Sequence, residues 1–201
     1  MFPLAVGDRF EELGYEYLPG LLGTADVSPV RAAVLRALQE SPVQVVHDAA
    51  WLRVQARVLA DEAVRALVEH PAVQGVVRAR SGRADTRCGD IVRIMPQGSW
   101  TRPHQDGAYL RAPDAITLWI ALEDTPLERG PLVLWAGSHH QGLREHGPGE
   151  EGTQVPEDAE WHGSPLAAGD AIAFSALTVH ASLPNLGAAP RLSIDLRSRR
   201  G

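Results

Sequence analysis

The segment Ile-Val-Arg-Ile-Met-Pro-Gln-Gly-Ser-Trp-Thr-Arg-Pro-His-Gln-Asp, residues 91–106, combines an apolar strand, a turn and a pair of polar residues. Residues 91–95 are predicted to form a strand, and residues 96–98 (Pro-Gln-Gly) are predicted to turn the chain. In an extended segment, residues two apart project to the same side, so His104 and Asp106 are expected to point together. An imidazole and a carboxylate would then meet at the mouth of a barrel of strands.

The pattern around this segment divides the chain into a helical part and a β part. From Gly89 onwards, short apolar runs alternate with glycine and proline, which predicts an antiparallel sandwich or barrel. Earlier residues carry apolar side chains at helical spacing, in a helix starting near Ser28-Pro29 and in another with Asp61 as its N-cap. We therefore expect one domain over residues 1–201. The predicted segments are helices in 27–39 and 61–69, strands in 91–95, 115–122, 132–135, 171–174 and 192–196, with a helical part to about residue 88 and a β core over about 89–201.

Composition and charge restrict the class of protein. The 201 residues include 19 Lys+Arg and 25 Asp+Glu, and the resulting formal charge of -6 argues against nucleic-acid or anionic-membrane binding. The N-terminus has no signal-peptide pattern, and no run approaches the ~20 apolar residues of a membrane span. Cys88 is the single cysteine, which excludes an internal disulfide and a thiolate metal cage. A reducing, cytoplasmic location is expected, and the oligomeric state is unknown from the sequence.

A second histidine far downstream completes a possible metal site. His180 follows the apolar residues 171–179. Two histidines and one carboxylate form the facial triad of non-haem iron(II) oxygenases, which leaves positions open for a co-substrate and O2. The H-x-D pair alone is a weak signal, because such pairs also occur by chance on protein surfaces.

Arg191 and Ser193 add a possible anion site. Arg191 follows His180 by 11 residues, across a stretch rich in proline and glycine. This length favours two adjacent antiparallel strands, with Arg191 near the metal but not on it. A guanidinium can bind a distal carboxylate with two hydrogen bonds, and Ser193 on the same face can donate another. A 2-oxoacid with a second carboxylate, 2-oxoglutarate, fits these groups.

The ordered set of motifs resembles the phytanoyl-CoA dioxygenase family of iron(II)- and 2-oxoglutarate-dependent oxygenases. The resemblance covers most of the chain and implies a mainly β structure with flanking N-terminal helices, a double-stranded β-helix of the cupin-like jelly-roll type. The motifs are FEELGYEYLPGLL (10–22), PHQDGAY (103–109), TLWIAL (117–122), GPL (130–132), GSH (137–139), Gly169-Asp170, HASLPN (180–185) and RLS (191–193).

The resemblance also implies roles for individual residues. His104, Asp106 and His180 would bind iron(II), and Arg191 with Ser193 would hold the side chain of 2-oxoglutarate. The implied reaction consumes O2, converts 2-oxoglutarate to succinate and CO2, and oxidises an unactivated C–H bond. The protein itself would orient the substrate.

The substrate and the outcome of the reaction stay open at this point. The resemblance places Trp119 beside the co-substrate, and Tyr109 and Arg102 are predicted to line the substrate pocket. Hydroxylation of a small metabolite or natural-product intermediate, free or carrier-bound, is the leading prediction. Residues 141–161 are acidic, which argues against a CoA thioester. Alternatives are desaturation, epimerisation or cyclisation with the same cofactors, a cupin-like isomerase or binding protein without 2-oxoglutarate chemistry, and a zinc hydrolase.

Overall fold

The computed structural model describes residues 9–43, 48–82, 87–147 and 152–199. Residues 44–46 (Gln-Val-Val) have a sequence pattern that favours neither a helix nor a strand, and they lie outside the described residues. Residues 148–158, rich in Gly, Glu and Pro, are predicted from the sequence to form an exposed loop, and the first four of them, 148–151, also lie outside the described residues. No helix in the described ranges is long and apolar enough to cross a membrane.

Helices dominate the N-terminal part of the chain. The described residues there form α1 Phe10–Leu13, α2 Thr24–Glu40, α3 Ala49–Leu59, α4 Glu62–Glu69 and α5 Pro71–Ser81. The predicted start of α2 at Ser28-Pro29 is wrong. The helix begins four residues earlier because the Asp26 carboxylate accepts the Gly23 N–H, at 2.8 Å, and stabilises the first turn. Asp61 caps α4 as predicted, accepting the Ala63 N–H at 2.9 Å.

The strands form two antiparallel sheets. Within the described residues the strands are β1 Tyr15–Leu18, β2 Ile91–Met95, β3 Thr101–His104, β4 Ala115–Ala121, β5 Leu132–Trp135, β6 Trp161–Gly163, β7 Ala171–Ser175, β8 His180–Ser182 and β9 Arg191–Arg199. The larger sheet has the order β1-β7-β4-β9-β2 and the smaller sheet has the order β3-β8-β5-β6. The predictions of antiparallel pairing and of a mainly β chain with N-terminal helices are confirmed.

The two faces of the larger sheet have different partners. On β9, Leu192, Ile194 and Leu196 belong to one apolar core with side chains of α2, α3, α4 and α5. Arg191 and Asp195, at alternate positions, lie on the opposite face and line a cavity shared with the smaller sheet. Because strand residues alternate between faces, one nine-residue strand serves both layers. The order of layers is helices, larger sheet, cavity, smaller sheet.

The strands that carry His180 and Arg191 are not neighbours in one sheet, so that prediction is wrong. His180 lies on β8, which pairs with β3 and β5 in the smaller sheet. Arg191 lies on β9, which pairs with β2 and β4 in the larger sheet. The intervening residues therefore carry the chain from one sheet to the other. His180 and Arg191 come together across the space between the sheets, where both line the same cavity.

Candidate active site

His104, Asp106 and His180 form a compact buried cluster. One ligand atom from each residue lies within 4.8 Å of the other two. His104 ends β3 and stands opposite His180, the first residue of β8. Asp106 begins a short helix, α6 Asp106–Leu110. The extended backbone predicted for the H-x-D segment therefore stops at Gln105, and the helix turn brings the carboxylate to the histidines.

Backbone carbonyl groups set the tautomers of both histidines. The Nδ1 of His104 lies 2.8 Å from the carbonyl oxygen of Arg102, and that of His180 lies 3.0 Å from the carbonyl oxygen of Thr178. Since a carbonyl oxygen only accepts, Nδ1 carries the proton and Nε2 keeps its lone pair. Burial lowers the pKa of His104 to about 3 and also lowers the pKa of His180. Both imidazoles are neutral near pH 7, the form that binds a metal.

Two side chains of the larger sheet hold the Asp106 carboxylate. The hydroxyl of Thr117 donates to one carboxylate oxygen at 2.6 Å, and Nη2 of Arg197 donates to the other at 2.8 Å. Burial alone raises the pKa of Asp106, but Arg197, together with smaller contributions from His180, His104 and Arg93, outweighs burial and holds that pKa below its usual range. Neither partner was predicted from the sequence. Arg197 could have been found from the sequence, because it continues the alternate positions of Arg191 and Ser193 and therefore lies on the same face of the strand.

Gln105, between His104 and Asp106, joins this segment to two other parts of the chain through hydrogen bonds. Its side-chain amide donates to the carbonyl oxygens of Gly142, at 2.8 Å, and Leu177, at 2.6 Å. Its side-chain carbonyl accepts the backbone N–H of Arg144 at 2.8 Å. The side chain is fully buried, so these bonds act without competition from water. Gln105 therefore orients the H-x-D segment rather than binding a ligand.

A cavity extends from the two histidines to Arg191. Nη1 of Arg191 donates to the Gly130 carbonyl at 3.2 Å, and the guanidinium carbon lies 5.6 Å from the centre of the Trp119 ring. Burial lowers the pKa of Arg191 to about 10, so the group remains cationic near pH 7. The wall is formed by Arg93, Thr101, His104, Trp119, Leu132, Phe174, His180, Ser182, Arg191 and Asp195.

Buried polar atoms beside Arg191 have no hydrogen-bond partner. They are the Nε of Arg191, the Oγ of Ser193, the Oδ1 of Asp195 and the Nε of Arg197, all on the same face of β9. A buried donor without a partner costs about 1–3 kcal/mol, so such atoms indicate a site that a ligand completes. A guanidinium and a hydroxyl side by side are suited to a carboxylate.

Tyr109 and Arg102, predicted as pocket residues, lie at the surface next to the cluster of His104, Asp106 and His180. The ring centres of Tyr109 and His104 are 5.7 Å apart in an edge-on arrangement, and Tyr109 is half exposed. The Arg102 guanidinium lies over the Trp100 ring at 5.3 Å. Neither side chain belongs to the set that forms the cavity wall.

The family model for phytanoyl-CoA dioxygenase matches residues 10–193. The chain therefore belongs to the phytanoyl-CoA dioxygenase family, and the resemblance seen in its motifs is confirmed. It is 36% identical over 110 residues to the 1-deoxypentalenic acid 11-beta-hydroxylase of Streptomyces arenae, covering 47% of this chain and 39% of that protein. It is 34% identical over 103 residues to the phytanoyl-CoA dioxygenase of Arabidopsis thaliana, covering 47% and 36%. The matches thus span well under half the length of these curated relatives.

Solved structures share the fold over nearly the whole chain. The non-haem alpha ketoglutarate dependent epimerase SnoN from nogalamycin biosynthesis is 26% identical, with a TM-score of 0.75, covering 95% of this chain and 80% of that one. The carbocyclase SnoK from the same biosynthesis is 22% identical, with a TM-score of 0.71, covering 94% and 81%. The likeness to SnoK shows a common fold alone.

Proposed function

We propose that this protein is an iron(II)- and 2-oxoglutarate-dependent oxygenase that hydroxylates an unactivated C–H bond of a small metabolite or natural-product intermediate. One observation carries the proposal. One cavity is lined both by His104 and His180, the two imidazoles of the His-Asp-His cluster, and by Arg191. Arg191 and the nearby Ser193, on the same face of β9, have buried polar atoms without a hydrogen-bond partner. Family membership supports the same class of reaction.

The donor set fits iron(II) and the anion site fits 2-oxoglutarate. Two neutral histidines and one aspartate give a singly charged set of ligands, the facial triad that non-haem iron oxygenases use. The cation of Arg191 and the hydroxyl of Ser193 fit the carboxylate at the far end of 2-oxoglutarate. When bound, iron and 2-oxoglutarate supply the oxidising chemistry: O2 is consumed, succinate and CO2 are released, and a C–H bond of the substrate is oxidised.

The residues of the chain would position these groups and exclude water. His104, Asp106 and His180 would hold the metal, in orientations that their own hydrogen bonds fix. Trp119, in contact with Arg191, would form an apolar wall of the co-substrate site together with Leu132 and Phe174. A dry wall strengthens the attraction between the guanidinium and a carboxylate.

The jelly-roll assignment and the cytoplasmic location are part of the same proposal. Two facing antiparallel sheets with helices on one side support a double-stranded β-helix, or jelly roll, as a single domain over 1–201. The single cysteine supports a reducing cytoplasm, which also keeps iron in its ferrous form. We propose a small-molecule substrate, with no nucleic-acid or membrane partner. Tyr109 and Arg102 are proposed to contact it at the surface beside His104.

Hydroxylation is the preferred outcome because two curated relatives are 1-deoxypentalenic acid hydroxylases. Epimerisation is the second candidate, since the epimerase SnoN shares the fold at 26% identity. The two reactions diverge after the hydrogen atom has been removed from the substrate, and they therefore give different products. Mass spectrometry separates them, because hydroxylation adds one oxygen atom to the substrate and epimerisation leaves its mass unchanged.

The test is release of succinate from 2-oxoglutarate in the presence of iron(II), O2 and ascorbate. We expect slow turnover by the wild type that disappears in His104→Ala and persists in the control His140→Ala. His140 is a histidine outside the cluster, near the carbonyl oxygen of Glu12. Absence of both turnover and 2-oxoglutarate binding would contradict the proposal and favour a cupin-like isomerase or binding protein. A requirement for zinc would favour a hydrolase.

A further inference from the structure

One buried acceptor in the cavity wall has no hydrogen-bond partner. It is Oδ1 of Asp195, a residue that lines the cavity and is 2% exposed. Among the described residues, no donor bonds to this oxygen. Leaving a buried acceptor without a partner is costly, so the atom indicates that a further group binds here.

The other oxygen of the same carboxylate is already bonded. Nε of Arg93 donates to Oδ2 at 2.9 Å, and Nη2 of Arg197 lies 3.4 Å from Oδ2. These two contacts hold the carboxylate in place and use Oδ2 alone. Asp195 is therefore a positioned carboxylate with one bonded and one unbonded oxygen.

The chemistry of 2-oxoglutarate excludes it as the partner of Oδ1. Near pH 7 both of its carboxyl groups are ionised, so all of its oxygen atoms are acceptors and none is a donor. It can accept hydrogen bonds from Arg191 and Ser193, but it has nothing to donate to Asp195. Iron(II) would be held elsewhere, because Asp195 does not belong to the cluster of possible metal ligands in the described part of the chain. The missing donor has to come from the substrate or from water.

The position of Asp195 places such a donor close to the proposed iron site. Nη2 of Arg197 donates to Asp106 at 2.8 Å and also lies beside Asp195, so a single guanidinium nitrogen lies between the two carboxylates. His104 and His180 line the same cavity as Asp195. A substrate group bound to Oδ1 would therefore hold the rest of the substrate next to these histidines.

The surroundings of Oδ1 favour an uncharged donor. A cationic amine bound there would face the guanidinium groups of Arg93 and Arg197 across one carboxylate, and like charges repel strongly in a buried site. A hydroxyl group is a compact uncharged donor, and at Oδ1 it would form a hydrogen bond to an ionised acceptor.

The rest of the wall favours a hydroxyl on a hydrocarbon skeleton over a free water. A buried water typically has about two to four polar partners. Much of the wall, however, is apolar and buried, and is formed by Trp119, Leu132 and Phe174. A carbon skeleton can pack against such a wall while its hydroxyl bonds to Oδ1.

We propose that the substrate carries a hydroxyl group and that this group donates a hydrogen bond to Oδ1 of Asp195, which fixes the substrate beside the proposed iron site. The inference rests on the proposed function, because it assigns Arg191 to 2-oxoglutarate and the His-Asp-His cluster to iron. It adds a chemical feature of the substrate and makes Asp195 a residue that determines specificity.

The test compares an alcohol with the ketone of the same ring. Cyclohexanol has a hydroxyl donor, whereas cyclohexanone is nearly equal in size and has an acceptor in its place. Both are titrated by calorimetry into enzyme loaded with iron(II) and saturating 2-oxoglutarate, without O2. We expect the alcohol to bind the wild type about tenfold more tightly, the value of one hydrogen bond to a charged group.

Asp195→Asn should exchange the acceptor at Oδ1 for a donor of the same shape. Because Arg93 and Arg197 both donate, the amide oxygen of the variant should stay at the position of Oδ2, which puts the NH2 group at the position of Oδ1. The preference for the alcohol should disappear, since the ketone then finds a donor. The affinity for 2-oxoglutarate should not weaken, because the variant removes a negative charge from the cavity.

Glu16→Gln is the matched control. Glu16 is a partly buried carboxylate that is also paired with an arginine, since Nε of Arg80 donates to it at 3.0 Å. Both residues lie outside the cavity wall. The variant should keep the full preference for the alcohol.

A crystal structure of the wild-type complex with cyclohexanol, iron(II) and 2-oxoglutarate tests the contact without any variant. The hydroxyl oxygen should lie about 2.5–3.0 Å from Oδ1 of Asp195. An ordered water on Oδ1, with the alcohol elsewhere, would overturn the proposal.

Three results of the titrations would also overturn it. The first is equal affinity of the wild type for the two probes, including no measurable binding of either. The second is a preference for the alcohol that survives in Asp195→Asn, or a loss of affinity for both probes by the same factor, as expected if Asp195 only supports the two arginines. The third is competition between the alcohol and 2-oxoglutarate, which would place the alcohol at Arg191. If the wild type fails to bind 2-oxoglutarate, the proposed function fails instead, and the same probe pair on metal-free protein still tests Asp195.

Discussion

The two faces of the larger sheet differ in chemistry although the same strands build both. The face toward the helices is lined by aliphatic side chains such as Ile194 and packs as an ordinary core. The face toward the smaller sheet carries charged side chains, Arg191 and Arg197 among them, that are almost as deeply buried. Burying charges is costly unless they are paired or complete a ligand site. Residues on the helix-facing side therefore stabilise the protein, whereas residues on the opposite face are the ones that we propose bind ligands.

The largest effect is expected for removal of the Asp106 charge from the proposed iron site. Asp106→Asn keeps the shape of the side chain and leaves an acceptor for Arg197, so the fold should be retained. Iron(II) affinity should fall by more than the roughly 10–100-fold that loss of an outer hydrogen-bond partner costs. Equilibrium dialysis with metal analysis measures it, with Asp114→Asn, at an exposed turn, as the control. Unchanged iron binding would remove Asp106 from the metal site.

A slightly smaller effect is expected at the other end of the cavity. Arg191→Gln should weaken 2-oxoglutarate binding by about a thousandfold, since the loss of one partner of a buried charge pair costs roughly 2–5 kcal/mol. Iron binding should be unaffected. Calorimetry without O2 measures both, and Arg80→Gln serves as the control. A loss below about tenfold would mean that the co-substrate carboxylate binds elsewhere.

On the opposite face, a substitution should change stability without changing binding. Ile194→Ala removes a fully buried side chain from the helix-facing core, which should lower the free energy of unfolding by about 2–5 kcal/mol. Urea denaturation measures this loss, and Leu186→Ala, at a side chain that is 70% exposed, should have little effect. The folded variant should bind 2-oxoglutarate like the wild type. A tenfold loss of that affinity would show that the two faces are not independent.

The smallest effect is expected for Ser193, which precedes Ile194 on β9 and faces the opposite side of the sheet. Ser193→Ala removes a buried hydroxyl without a partner, so the cofactor-free protein should keep its stability to within about 0.5 kcal/mol. The affinity for 2-oxoglutarate should fall about fivefold, the value of roughly 1 kcal/mol for one hydrogen bond. If Ser193→Ala destabilised the protein as strongly as Ile194→Ala, the assignment of the two faces would be wrong.

Local patterns predicted much of the fold. The strands 91–95 and 132–135 have the predicted bounds, because apolar runs flanked by turn residues leave little choice. Asp61 was predicted as a cap from its place before an apolar period. The start of α2 was misplaced because Ser28-Pro29 is a common start signal, whereas the bond from Gly23 to Asp26 decided the outcome.

Contacts between distant strands could not be predicted in the same way. Spacing along the chain does not determine which sheet a strand joins, so β8 and β9 were predicted as neighbours although they face each other. The hydrogen bonds from Thr117 and Arg197 to the Asp106 carboxylate depend on that arrangement. Arg93 and Asp195 belong to the same category, since an ion pair between β2 and β9 requires the pairing of these strands.

The most direct test of the ligand-binding face is a crystal structure of the protein grown with iron(II) and 2-oxoglutarate in the absence of O2. We predict one iron ion bound by Nε2 of His104, Nε2 of His180 and the carboxylate of Asp106. The distal carboxylate of 2-oxoglutarate should bond to Arg191 and Ser193. A metal bound elsewhere, or a co-substrate carboxylate held by Arg93 with Arg191 and Ser193 still without partners, would contradict the assignment of this face.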